Sequence, residues 1–244
     1  MAIATELAVT QTSDADLIAS TIFGDGVTIV SSSMSGNAVQ SGIYSGATTT
    51  TGGTAPSDTG VIFSTGNTAD YTNSSGTTDT NTAANTGTNH SGTGDADLTA
   101  LGGNTTFDAI IFESTFIPTG DYLTMQFTFS SEEYLEYVNG GVNDVLGVWV
   151  NDVFVELTPS GETVSIDTVN NGVNPNLYVD NPAVDDIYNT EMDGFTVTLS
   201  MKAPVNSGVE NTIKIGLADG GDGIYDSNVL IAADSLQTVA LAME

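Results

Sequence analysis

Apolar and polar positions alternate most cleanly over residues 121–131. Leu123, Met125, Phe127 and Phe129 fall on one side, and Thr124, Gln126, Thr128 and Ser130 on the other. A period of two with one apolar side predicts a strand that buries one face and wets the other. The next apolar run, 145–156, contains its own turn. Val148-Trp149-Val150, Asn151-Asp152 and Val153-Phe154-Val155 read as a two-residue hairpin, because both turn residues tolerate positive φ. That register pairs Val150 with Val153 and Trp149 with Phe154, and Trp149 reads as core rather than as a platform for stacking sugars. Similar alternation over Phe195, Val197, Leu199 and Met201, and over Ile213, Ile215 and Leu217, predicts two further strands. Their intervening positions place Lys202 and Lys214 on wet faces. Residues 107–117, ended by Pro118-Thr119-Gly120, form another strand, as do 26–33, 38–44, 60–64 and 163–169. Residues 170–193, rich in Asn and Asp, read as a loop.

One helix interrupts this pattern near the start. Ser13 is a natural N-cap ahead of Asp14 and Asp16, Leu17, Ile18 and Ile22 share a face, and Gly24 stops the run. Many short antiparallel strands with regular turn signals predict an all-β chain, an antiparallel β-sandwich or jelly-roll-like fold with one short N-terminal helix. Without a break in composition between two apolar regions, the 244 residues read as one domain spanning 1–244.

Composition changes the picture in two places. Residues 45–97 shift to Thr, Gly, Asn, Ser and Asp, including Thr77-Thr78-Asp79-Thr80-Asn81-Thr82, an insert with too little apolar surface to offset its ordering entropy. If ordered, such a segment must be held by hydrogen bonds, ions or a neighbouring molecule. A terminal strand donated to a sheet edge, within the molecule or to the next one, is one such device. The second is charge. Two lysines, no arginine and 31 acids give a net charge of −29. So negative a chain repels nucleic acid and anionic membranes and attracts cations. Self-repulsion is relieved by salt or divalent ions, which points to a saline, calcium-containing exterior. There is no cysteine, hence no disulfide framework and no thiolate chemistry. No Sec signal and no apolar run long enough to span a membrane is visible, so export by a one-step type I route is expected, with 236–244 either its signal or a last strand.

Candidate chemistry lies in two acidic stretches. The strand 123–130 runs into Glu132, Glu133 and Glu136, followed by Asn143-Asp144. Residues 219–227 carry Asp219, Asp222 and Asp226 among glycines that let the backbone fold around something small. Calcium takes about six to eight oxygens from carboxylates, amides and backbone, and these stretches supply all three. The second is not an EF-hand loop, and it misses the Gly-Gly-x-Gly-x-Asp repeat by having Tyr225 where Asp belongs. Glu132, Glu133, Asp144, Asp193, Asp219, Asp222 and Asp226 are therefore the expected Ca2+ ligands. Adjacent residues of a strand face opposite ways, so only one of Glu132 and Glu133 is expected at any one ion. Asp95 and Asp97 are weaker candidates, and His90 reads as surface. With one histidine and no cysteine, nucleophile–base pairs have almost no material, and the chain does not read as an enzyme. A carboxylate dyad for glycoside hydrolysis is the remaining catalytic alternative.

Seven motifs, Gly94-Asp95-Ala96-Asp97-Leu98, Phe107-Asp108-Ala109, Phe116-Ile117-Pro118, Phe129-Ser130-Ser131-Glu132-Glu133-Tyr134, Asn143-Asp144-Val145, Asp193-Gly194-Phe195-Thr196 and Ala218-Asp219 through Asp226-Ser227, occur in the order seen in the choice-of-anchor L domain family. Upstream, Asp16-Leu17, Gly24-Asp25-Gly26-Val27 and 60–66 fit its amino-terminal part, so the resemblance covers roughly 14–236. It implies a secreted or surface-displayed bacterial domain, often attached to varied anchoring or sorting tails, without an established catalytic activity. The chain departs from the family in showing no anchor or long tail, in having Ser130 where Ala is commoner and in its long polar insert. The expectation is thus an extracellular, calcium-stabilised structural or adhesive protein, self-assembling with copies of itself into a filament, layer or biofilm matrix. A module for glycans or ice, using the threonine-rich stretch as a flat hydroxyl array, is the alternative.

Overall fold

The computed structural model describes residues 5–72, 81, 85–183 and 188–239. In chain order its elements are β1 (Ala8–Gln11), α1 (Ala15–Ile22), β2 (Val27–Ser35), β3 (Ser41–Ser45), α2 (Ala47–Thr50), β4 (Thr59–Ser64), α3 (Ala96–Gly102), β5 (Thr106–Pro118), β6 (Tyr122–Ser131), β7 (Val145–Val150), β8 (Val153–Phe154), β9 (Val164–Ser165), β10 (Tyr178–Asp180), β11 (Gly194–Thr196), β12 (Leu199–Pro204), β13 (Asn211–Gly220), β14 (Ser227–Ala232) and β15 (Gln237–Val239). Two antiparallel sheets form a sandwich. One runs β1-β3-β4-β14-β6-β11-β10, with β12 and β15 also on β6, and the other runs β2-β5-β13-β7-β8, with β9 on β7.

The alternating strand of the sequence, β6, is the axis of the larger sheet. Ser131 pairs with both Gly194 and Ser227, and Phe127 with both Leu199 and Ile231, so each edge of β6 is occupied. Beyond β14 the same edge is taken up by β15, through Gln237 opposite Thr124. Its apolar side chains, Leu123, Met125, Phe127 and Phe129, are fully buried. They meet Phe112 and Phe116 of β5, Val148 of β7 and Ile213, Ile215 and Leu217 of β13 in the core between the sheets. Each such side chain contributes about 1.5–3 kcal/mol by leaving water. The 148–155 hairpin forms in the expected register, Trp149 opposite Phe154 and Val150 opposite Val153, with φ of 51° at Asn151 and 62° at Asp152.

Several expectations are corrected. Helix α1 is capped by Asp14, not Ser13: its carboxylate accepts from the amides of Asp16 and Leu17, each at 3.1 Å. A charged acceptor suits the positive end of the helix better than a hydroxyl. The buried face is Ile18, Ala19 and Ile22, while Leu17 is 44% exposed. The alternation 195–202 is two strands, because the chain leaves β6 at Val197, 38% exposed, while the Thr196 hydroxyl accepts from the Phe129 amide at 3.0 Å. Of 163–169 only β9 is extended, and the 170–193 loop carries β10.

The polar insert is ordered wherever it is described. Segments 47–51 and 68–72 cover the outer face of the larger sheet, where Ala47 and Tyr71 join Leu7, Tyr44, Ile62, Met192 and Leu230 in a second apolar cluster. Helix α3 covers part of the other sheet through Leu98. Of the threonine-rich stretch considered for ice or glycans, Thr48–Thr50 lie in α2, while 73–80 and 82–84 lie outside the described residues, as do 1–4 and 240–244 at the ends. Among the described residues no helix is long and apolar enough to cross a membrane.

Candidate functional site: buried carboxylates at one end of the sandwich

Both sheets end together where β6 stops at Ser131, β13 at Gly220, and β7 and β14 begin. Asp144 ties the two sheets. Its Oδ1 accepts from the Gly220 amide of β13 at 3.0 Å and its Oδ2 from the Ser227 hydroxyl of β14 at 2.7 Å. The turn after β6 buries Glu132 and Glu133, each 2% exposed, and β13 ends on Asp219, also 2% exposed. Asp193, from the approach to β11, accepts from the Asn81 side chain at 2.7 Å.

The insert is stitched to this end by the same acids. The amide of Thr86 donates to Glu132 Oε1 at 2.8 Å, that of Thr88 to Asp226 Oδ1 at 2.8 Å, and that of His90 to Asp108 Oδ2 at 2.8 Å, while the Gly92 amide donates to Asp108 Oδ1. Every second amide of an extended chain thus finds a carboxylate, which is how a segment without apolar surface is held. Gly66 is needed beneath it, since a Cβ there would stand 1.8 Å from Asp226 Oδ2. His90, expected at the surface, is half-buried with Nε2 3.0 Å from the Gly66 carbonyl.

What distinguishes these acids is the oxygens left over. Both carboxylate oxygens of Asp219, and Glu132 Oε2, Glu133 Oε2 and Asp226 Oδ2, are buried without a hydrogen-bond partner. Burial and the neighbouring charges of Asp193, Glu191 and Asp226 push Glu132 up to about 9. Burial with Asp144, Asp222 and Glu136 nearby raises Glu133 to about 8. Asp144 rises to about 7, and Asp193 and Asp226 each to about 6, again chiefly by burial. Asp219 lies well above the carboxylate range, through burial and then the Asp144 charge. Glu132 thus feels Asp193, Glu191 and Asp226, Glu133 feels Asp144, Asp222 and Glu136, and Asp219 feels both Asp144 and Asp226. Asp222 is only half-buried. Among the described residues no three acidic or histidine side chains already form a metal cage.

Neither lysine reaches this end. Lys214 pairs with Asp95 at 2.8 Å and Asp97 at 2.7 Å, and is less wet than its strand position implies, its side chain being 18% exposed. Lys202 sits 4.1 Å over the Tyr122 ring. Asp95 and Asp97 are accordingly occupied: Asp95 caps α3, and although burial opposes it, Lys214 holds its carboxyl below the usual range. Reading the sequence missed Asp108 and Glu191. Asp108 sits in a strand with φ of 46°, and Glu191 is 3% exposed in what reads as a polar loop. The Phe107-Asp108-Ala109 motif is the one signal that marks the former.

Comparison with known proteins gives a family match. The model described as "Choice-of-anchor L domain" matches residues 5–237. No curated protein matches the chain. Solved structures that share features include a family 35 carbohydrate binding module from an environmental isolate, at 15% identity and TM-score 0.25, over 70% of this chain and 96% of that one. The Agl-KA catalytic domain shows 15% identity and TM-score 0.30, over 100% of this chain and 29% of its own. A β-glucosidase from Kluyveromyces marxianus shows 9% identity and TM-score 0.24, over 53% of this chain, which spans 10% of that enzyme. Likenesses this distant carry no functional weight.

Proposed function

This chain belongs to the choice-of-anchor L domain family, a family of non-catalytic bacterial surface domains, and we propose that its acidic end is closed by a divalent cation, calcium by the chemistry of its donors. The observation that carries this reading is the set of buried carboxylate oxygens without partners in Asp219, Asp226, Glu132 and Glu133. A buried anion must be protonated, paired or metal-bound. The chain has no arginine, both lysines are engaged elsewhere, and His90 is the one other base near Asp226. A hard cation with a flexible shell of oxygens suits such a donor set, drawing the turn 132–144 and the loop 220–226 together around it. Asp144, Asp193 and Asp222 complete the candidate ligands.

Outside the cell, a domain so closed serves as a structural or adhesive unit that associates with its own copies. Among the described residues strand β2, nine residues long, is the last in its sheet, so its outer edge is a template for strand addition. Cation binding lowers the repulsion between molecules carrying 31 acids each, which is what association of like-charged copies needs. Sedimentation velocity in calcium and in chelator tests both halves. The expected result is a faster, more compact monomer in calcium and larger species as concentration rises. An identical 25.0 kDa monomer under both conditions and at every concentration refutes the reading.

A further inference from the structure

The outer face of the six-stranded sheet holds a second feature that the acidic end does not use. Between β2, β5, β13, β7 and α3 runs an open groove of about 750 Å³. Trp149 forms one wall. The benzo end of its indole lies across Gly147, where a Cβ would stand 2.3 Å from the ring, so the absence of a side chain there lets the indole rest against the sheet. Phe154 braces it edge-on, with centroids 6.2 Å apart, and Lys214 Nζ lies over one face of the ring, 5.0 Å from its centroid. Trp149 belongs to a small outer cluster with Leu98 and Leu101, is half-buried, and is not part of the core between the sheets. The reading of Trp149 as core is corrected accordingly: its strand parity matches Lys214, its cross-strand partner, which faces out.

The rest of the groove is polar. Ser31, Ser33 and Glu113 are exposed along its floor, and Asp152 comes from the hairpin turn. We propose that this groove binds a neutral oligosaccharide, with one hexose stacked on the face of Trp149 opposite Lys214 and its hydroxyls donating to Glu113 and Asp152. The C–H face of a hexose matches an indole, and hydroxyl-to-carboxylate bonds are of the strong, charge-assisted kind. The groove is wetter and more open than the mostly apolar clefts that hold drug-like ligands, which suits a ligand as rich in hydroxyls as a sugar. Charge decides the class. Glu113, Asp152 and Asp97 line the groove, and its one cation, Lys214, is already bound by two aspartates, so anionic glycans are repelled. The groove shares no carboxylate with the acidic end, and this inference stands or falls apart from the cation reading.

Trp149 is the sole tryptophan of the chain, so its emission reports the groove directly. The test titrates the full chain with cellohexaose, laminarihexaose, maltohexaose and mannohexaose, and with an anionic hexagalacturonate. Saturable change in emission with at least one neutral hexasaccharide, none with the galacturonate, and affinity at least tenfold weaker in Glu113→Ala is the expected result. Glu113 is exposed, so that variant folds; circular dichroism confirms it. Emission unmoved by every neutral sugar at millimolar concentration overturns the proposal, as does binding that is undiminished in Glu113→Ala and Trp149→Ala when followed by calorimetry.

Discussion

In chelator the protein should be most stable near pH 5 and lose stability steadily as the pH rises towards 9. Glu132 and Glu133 ionise near 4.5 in an unfolded chain but at about 9 and about 8 in the folded one. Between those values the native state keeps protons that the unfolded state has released, so stability falls with rising pH. The stabilisation is fully present below the unfolded values and is lost as the pH passes through the folded ones. Asp193 and Asp226, at about 6, and Asp144, at about 7, add to the early part of the decline. Asp95, whose carboxyl is depressed, acts in the opposite sense, but only in acid, below the window considered. Urea midpoints measured from pH 5 to pH 9 check this. Saturating calcium should flatten the profile, because the bound ion takes the place of the protons. A chelated protein that grows more stable towards pH 9 would contradict the assignment.

The variant Asp219→Asn should change sign with calcium. Neither oxygen of Asp219 accepts a hydrogen bond of normal geometry, although the Thr65 hydroxyl is near enough to offset part of the cost of burial, and the residue is 2% exposed. Replacing it by a neutral side chain of the same shape removes the cost of holding this buried carboxyl protonated at a pH where the unfolded chain would release the proton. At pH 8 in chelator the variant should therefore melt above the parent protein. In calcium the order should reverse, with affinity at least about tenfold weaker, equivalent to about 1.4 kcal/mol. Asp144→Asn should behave differently. Both Asp144 oxygens accept bonds, from Gly220 and Ser227; an amide NH2 facing Ser227 would make its hydroxyl accept instead and leave that buried proton without its acceptor. That variant should be destabilised with or without calcium. Paired melting curves of the two variants under both conditions separate a cation ligand from a structural tie.

The central strands were legible because each is long or strictly alternating. β5, β6 and β13 need only a period of two, and the 151–152 turn needs only two residues that accept positive φ. What escaped notice depends on contacts far apart in sequence. Asp14 rather than Ser13 caps α1 because the helix starts at Ala15, which sets the Asp14 carboxylate against the amides of Asp16 and Leu17, a one-residue choice that composition alone leaves open. The insert reads as disordered because its anchors are not its own residues. They are Glu132, Asp226 and Asp108, up to 138 positions away, each accepting from an amide of the segment 86–92. Trp149 has the hydrophobicity of a core residue, and only the pairing of β7 with β13 reveals that it faces outward. The acidic residues were visible as a set, whereas their burial was not. An Asp beside glycines reads equally as a solvated turn, and the difference comes from the lid that 85–92 and 188–193 place over them.

The most direct test of the cation-closed end is the melting midpoint at pH 8, by scanning calorimetry, with calcium at a hundred times its dissociation constant and then in chelator. Binding to the native state alone stabilises by about 2.7 kcal/mol under that condition. For a chain of this size this raises the midpoint by about 5–10 °C. A rise of that order, much reduced in Asp219→Asn, is the predicted result. Midpoints that coincide in calcium and chelator would mean that the buried carboxylates hold protons rather than an ion.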